Sequence, residues 1–255
     1  MSNLSKPTNV TVSRLKSNFA HFNRMIATSA GQDRVFMLFT YISKIVVHFL
    51  NGKGKKRNDA AKRITILSNI ITDARTLYRL LGLPAMIQWA ISLHRPAPGA
   101  DRVNSMIEKL QAYSLIVYYA LENTYYLGGK KVLNISPVKQ GKLAWVSVQF
   151  WMAFCLLQVA HLYRDSQLLD KEEKLIKNNV VVDEEKGSGG DPATALCVIQ
   201  KKRNLLKESF LVQCGWIPLN VHWSFPEGLF DPVYVGLGGT LAGIFGFRAN
   251  WRASA

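Results

Sequence analysis

The sequence predicts an all-α, membrane-associated helical bundle with one amphipathic helix in a membrane interface and one or two transmembrane helices. Three observations carry this. The stretch Lys62–Leu81, KRITILSNIITDARTLYRLL, is amphipathic with an unusually wide apolar side. Leu143–Tyr163 runs 21 residues without a formal charge. A hydrophobic content of 48% is combined with a net charge of +15, which is unusual for a soluble enzyme.

On a wheel of 100° per residue, Arg75, Ser68, Arg79, Thr72, Thr65, Thr76 and Asn69 share one arc of roughly 120°. Ile64, Ile66, Leu67, Ile70, Ile71, Ala74, Leu77, Tyr78, Leu80 and Leu81 occupy the apolar side, with Asp73 the only charge near its edge. An apolar arc of about 200° is wider than a surface helix of a soluble domain shows. The pattern fits a core-facing bundle helix or one lying in a membrane interface, and basic residues beside the arc suit anionic headgroups. The expected membrane-inserting residues are Ile64, Leu67, Ile70, Ile71, Ala74, Leu77, Tyr78 and Leu81. The expected headgroup contacts are Lys62, Arg63, Arg75 and Arg79.

The remaining elements follow in order. Residues 10–30 carry Val12, Leu15, Phe19, Phe22 and Ile26 at helical spacing, and 35–50 is apolar on nearly every side around Lys44 and His48. That second stretch is too short for a comfortable span and reads as buried or interfacial. A basic loop, 51–57, precedes the amphipathic helix, which stops near Gly82-Leu83-Pro84; Pro84 then opens a helix from 85 to 94. Residues 101–127 form a long helix ending in Tyr118, Tyr119, Tyr125 and Tyr126. Leu143–Tyr163 as a helix is about 31 Å long, one hydrocarbon core, with Trp145 and Tyr163 at its edges.

The chain thus divides into a basic helical region (1–142) with the amphipathic helix at 62–82 and a transmembrane helix at 143–163. A charged region at 164–232 contains a flexible linker at 180–193. A glycine-rich terminal transmembrane segment at 233–247 and a short basic tail at 248–255 complete it. In the terminal segment Gly236, Gly239 and Gly243 permit close helix–helix contact. Residues 1–142 hold 21 Lys and Arg against 6 Asp and Glu; residues 143–207 hold 9 against 8. So basic a front half implies an acidic partner. With two spans, both termini would be cytosolic and 164–232 lumenal.

No constellation for catalysis emerges. His21, His48, His94, His161 and His222 are scattered, and Cys155, Cys197 and Cys214 lack paired spacing, so neither metal nor disulfide framework is expected. Gly236–Gly243 resembles a nucleotide loop but opens no βαβ unit. The acids Glu172, Glu173, Glu184 and Glu185 lie in the charged region, where general acid–base work is not expected. No enzyme and no cofactor are predicted. Nucleic-acid binding would need exposed aromatics interleaved with the basic residues, whereas Tyr78 falls on the apolar side.

The segment Gly31-Gln-Asp-Arg-Val-Phe-Met-Leu-Phe-Thr-Tyr41 resembles the opening signature of the eleventh-peroxin family of peroxisomal membrane proteins, through Gly31, Asp33, Arg34 and Tyr41. Met37 and Thr40 stand where that signature usually has Arg and Gln. Ala74-Arg-Thr-Leu-Tyr-Arg-Leu-Leu-Gly82 is similar to the family's second motif, and the glycine-rich segment with its basic tail to the third. The likeness covers roughly residues 15–252. It implies a peroxisomal membrane protein that inserts an amphipathic helix into the cytosolic leaflet, self-associates, elongates the membrane, and promotes proliferation and fission. Implied partners are anionic lipids, further copies of itself and the dynamin-related GTPase of fission. The alternative is a peroxisomal membrane channel for small metabolites, with Gln149, Gln158 and His161 as candidate lining.

Overall fold

The computed structural model describes residues 6–52, 58–95, 98–183 and 192–254, and every regular element among them is an α-helix. They are α1 (Lys6–Ile26), α2 (Ser29–Asn51), α3 (Asp59–Arg79), α4 (Gly82–Ser92), α5 (Arg102–Gly129), α6 (Pro137–Asp183), α7 (Pro192–Trp223) and α8 (Pro232–Ala253). The chain divides into two compact units, Met1–Arg75 with Pro232–Ala255, and Thr76–Asp231.

In the first unit, α1 and α2 are separated by two residues. Thr28 caps α2, its Oγ1 accepting from the Gly31 amide at 3.0 Å while donating to the Met25 carbonyl at 2.8 Å. This cap starts α2 six residues before the expected Val35. Any side chain at Gly31 would collide with the Met25 carbonyl, so the corner requires glycine there. α2 and α8 then pack closely. A Cβ at Gly239 would strike the Tyr41 ring, and one at Gly243 would lie 2.7 Å from Leu38 Cδ2. Met25, Met37, Tyr41, Val235 and Ala242 form the buried apolar core. At the far end, His21 Nε2 bonds the Trp251 carbonyl at 2.8 Å, tying α1 to α8.

In the second unit α5 and α6 run antiparallel along a polar seam. Asp101 pairs with Arg164 at 2.7 Å, Asn104 with Asp165 at 2.6 Å, Glu108 with His161 at 3.2 Å and Gln111 with Gln158 at 2.8 Å. Alternating spacings of three and four residues along α5 keep these side chains on one stripe. α7 runs back along the other side of α6, with Trp151 against Trp216 and Trp223.

Several expected boundaries move. α6 continues unbroken through Arg164 to Asp183, 47 residues and about 70 Å, because a change from apolar to charged side chains breaks no backbone hydrogen bond. Within α6 no proline follows Pro137. α7 is 32 residues long and carries Pro218 inside it. Residues 180–183 of the expected linker end α6 and 192–193 begin α7; its remaining residues, 184–191, lie outside the described residues, as do 53–57 of the basic loop. Among the described residues one helical stretch, Pro137–Asn178, is long and apolar enough to cross a membrane. The other expected span lies in α8, a 22-residue helix with five glycines that includes Arg248.

Candidate functional site

α3 is the helix whose apolar side was expected to meet lipid. Its buried positions are Ala61, Ser68 and Arg75, seven residues apart and therefore on one side. Its large apolar residues point outward: Ile66 (59% exposed), Leu67 (46%), Ile70 (61%), Leu77 (50%) and Tyr78 (61%), with Leu81 (80%) just beyond the helix. Ile64, Ile71 and Ala74 are half-buried at the edge of this face. A helix folded in water buries its apolar stripe; α3 buries Ala61, Ser68 and Arg75 instead and leaves its large apolar residues outside. Six such side chains left outside amount to on the order of 10 kcal/mol of transfer free energy available to an apolar phase. Exposed apolar surface on this scale marks an interaction surface.

Inward-facing polar residues hold the helix in this orientation. Arg75 donates to Asp33 through Nε at 2.7 Å and through a terminal nitrogen at 3.3 Å, and also reaches Thr40 Oγ1 at 3.4 Å. Ser68 Oγ lies 3.5 Å from the Thr40 carbonyl. Within the second unit, Arg79 forms a two-pronged pair with the buried carboxylate of Glu122 at 2.8 and 2.9 Å, and the Tyr118 hydroxyl donates to the same carboxylate at 2.7 Å. Arg75 and Arg79, two of the expected headgroup contacts, each hold a carboxylate of the chain itself. The wheel showed one polar arc; it could not show that carboxylates 42 and 43 residues away would claim its arginines. Lys62 and Arg63 are exposed at the start of the helix, with Lys62 lightly paired to Asp59 at 3.1 Å.

Residues singled out by their motifs converge in the first unit. Asp33 of the first motif meets Arg75 of the second, and Tyr41 of the first lies over Gly239 of the third. Gly236, Gly239 and Gly243 do make close helix contacts, but with α2 of the same chain, so this stripe is not free for a second copy. Met37 and Thr40, the two departures from the motif, are both buried. Arg34 donates to Met37 Sδ at 3.6 Å, and Thr40 Oγ1 donates to the Met37 carbonyl at 2.9 Å. The candidate channel residues are spent on neighbours: Gln149 on Ser224, Gln158 on Gln111, and His161 between Glu108 and Asp165.

This geometry is accompanied by a likeness along nearly the whole chain. The profile of the family described as Peroxisomal biogenesis factor 11 (PEX11) matches residues 19–251. The chain belongs to the PEX11 family. Among curated proteins it is similar to human peroxisomal membrane protein 11C, 23% identical over 225 residues, which is 88% of this chain and 90% of the human one. It is also similar to an uncharacterized protein of Schizosaccharomyces pombe, 23% identical over 154 residues, covering 60% of this chain and 69% of that one. No solved structure matches. Membership of the PEX11 family makes the chain a biogenesis factor of the peroxisomal membrane involved in peroxisome proliferation, and that family is not one of enzymes.

For this PEX11 protein, the residues that sequence reasoning missed are the acceptors. Glu122 lies within the tyrosine-rich end of α5, where the neighbouring rings suggested a membrane boundary rather than a buried acid. The available signal was a lone carboxylate in the stretch of α5 from Leu110 to Gly129, which has no other formal charge; such a group must find a cation or be expelled. Ile66, exposed beside Leu67 and Ile70, belongs to the outward face as well.

Proposed function

We propose that α3 inserts its outward face into the cytosolic leaflet of the peroxisomal membrane and elongates that membrane ahead of division. The observation that supports this most is the apolar face left outside, with Ala61, Ser68 and Arg75 inside and Ile66, Ile70, Leu77 and Tyr78 outside. A helix sunk about 5–10 Å into one leaflet spreads headgroups more than chain ends and favours positive curvature. Lys62 and Arg63 are the cations placed to meet anionic headgroups, each worth about 1 kcal/mol near the surface. One wedge bends a membrane little, so self-association supplies the density, through surfaces other than the occupied glycine stripe. Both termini face the cytosol in this reading, and the elongated tube is what a dynamin-related GTPase would cut.

The test uses the full chain in proteoliposomes with Ile70→Glu and Leu77→Glu combined. Both positions are largely exposed, so the chain should remain membrane-integrated while tubulation is lost. Undiminished tubulation by this variant would remove α3 as the wedge.

A further inference from the structure

We infer that α6 and α7 cross the membrane together as a helical hairpin: Leu143–Tyr163 outward and Phe210–Trp223 back, with the outer half of the hairpin standing in the lumen as an ion-paired stalk. This goes beyond the proposal for α3 and does not depend on it. It also replaces the expectation that all of 164–232 lies beyond the first span.

The two helices are in antiparallel register along their length. At the inner end Trp145 Nε1 donates to the Ser224 carbonyl at 3.0 Å and Gln149 to Ser224 Oγ at 2.9 Å. Midway, Trp151 stacks on Trp223 at 5.6 Å, and Asn220 Nδ2 lies 3.4 Å from Cys155 Sγ. Farther out, Arg203 holds Asp170 and Glu173, both at 2.6 Å, and Lys202 holds Glu172 at 3.1 Å. Whatever medium surrounds Leu143–Tyr163 therefore surrounds the facing part of α7. Like that stretch of α6, residues 209–226 carry no Asp, Glu, Lys or Arg.

The exposed face of the hairpin changes character partway along it. In the inner half the buried residues are a mixture, Ser147, Gln213 and Asn220 with Cys155, Leu162 and Leu219, and the exposed ones are Trp145, Leu156, Ala160 and Tyr163 on α6, with Phe210, Cys214 and Pro218 along one stripe of α7. In the outer half the buried residues are Leu169 and Ile199. The exposed ones are chiefly polar or charged, among them Asp170, Lys171, Glu172, Lys174, Lys201, Lys202 and Lys207, with Leu175, Val198 and Leu205 the apolar exceptions. One pair of helices in one solvent would keep one kind of outer face throughout. The change of that face from apolar to charged at the level of Arg164 and Lys207 marks the passage from hydrocarbon to water, with Tyr163 and Phe210 at that boundary. The side follows from charge: residues 164–207 are nearly neutral, with 9 Lys and Arg against 8 Asp and Glu, whereas residues 1–142 hold 21 against 6.

The two cysteines exposed on the protein surface report on this directly, Cys197 in the stalk and Cys214 on the face assigned to lipid. The measurement is labelling of the full chain in isolated peroxisomes by a charged, membrane-impermeant maleimide. It is read separately in Cys197→Ser and Cys214→Ser so that each signal belongs to one surface thiol. In intact organelles neither should react. Once a pore-forming toxin admits the reagent to the lumen, Cys197 should label, and Cys214 at least roughly tenfold more slowly, because an apolar surrounding suppresses the thiolate. Both should label after denaturation in detergent. Comparable rates at Cys197 and Cys214 in permeabilised organelles would overturn the return crossing, and labelling of Cys197 in intact ones would overturn the lumenal stalk. Tubulation plays no part in the readout, so this result and that for α3 stand or fall separately.

Discussion

Helix α3 and the outer half of the α6–α7 hairpin are both amphipathic, yet they bury opposite faces. The hairpin's outer half puts Leu169 and Ile199 inside and leaves its lysines and carboxylates to water. α3 puts Ser68 and Arg75 inside and leaves Ile66, Ile70 and Leu77 outside. In the hairpin's outer half the protein's own interior receives the apolar surface, so apolar contact supplies stability. In α3 the large apolar side chains stay outside, so fixing the helix falls to ion pairs and hydrogen bonds. Under the function proposed for α3, the same residue type carries stability in one region and function in the other.

The largest expected effect tests whether polar contacts secure α3. Glu122→Ala leaves the Arg79 guanidinium without its carboxylate, which should cost roughly 3–5 kcal/mol. Replacing both partners with apolar residues, Arg79→Met with Glu122→Leu, should recover most of that loss, since no buried charge is then unpaired. Thermal unfolding in detergent would read both variants. The corresponding change in the stalk, Asp170→Ala, removes an exposed pair and should leave the unfolding midpoint nearly where it was. A large loss there with none at Glu122 would reverse the comparison.

Next comes a matched pair of isoleucines. Ile199 is 2% exposed and Ile70 61% exposed. Ile199→Ala should cost about 2–5 kcal/mol by emptying a packed site, while Ile70→Ala should stay within about 0.5 kcal/mol. Binding of the full chain to vesicles should show the opposite ranking, with Ile70→Ala the weaker binder. Equal stability losses would mean that α3 packs its apolar face against protein after all.

Much of this was legible in the sequence. Helix class and the approximate place of each helix followed from apolar spacing, and the outward face of α3 was visible on the wheel as an apolar arc too wide for a helix of a soluble domain. What periodicity could not supply was the partner of each polar group. Asp33 and Arg75 are far apart in the chain, and only the fold brings the carboxylate to the guanidinium; the wheel therefore assigned Arg75 to lipid. The continuity of α6 was missed for another reason. The change of side-chain character at Arg164 was read as an element boundary, although the backbone has no proline or glycine there and the helix continues to Asp183. The glycines of α8 lie close against α2 here; in a sequence, a glycine stripe does not say whether its partner is in the same chain.

The smallest expected effect concerns charges outside the apolar zone. Asp101 caps α5, accepting from the Asn104 amide at 3.0 Å, and hydrogen bonds from Arg164 are the chief cause that lowers its pKa to about 2. In the stalk, hydrogen bonds first from Lys177 and then from Arg203 hold the Glu173 carboxyl below its ordinary range. Both carboxylates bind protons less readily in the folded chain than in the unfolded one. Their contribution is therefore complete above the ordinary carboxylate pKa and is lost as pH falls through the folded values, which for Asp101 means between its ordinary 3.8 and about 2. The unfolding midpoint should accordingly be flat on this account from neutral pH to about 5 and decline in the acid range. Asp101→Asn keeps a side chain able to cap the helix while removing the charge, so it isolates the ion pair from the cap. That variant should start slightly below the parent at neutral pH and converge with it in acid. Parallel curves at every pH would assign the loss to capping geometry and leave the Arg164 pair with no measurable part in holding α5 to α6.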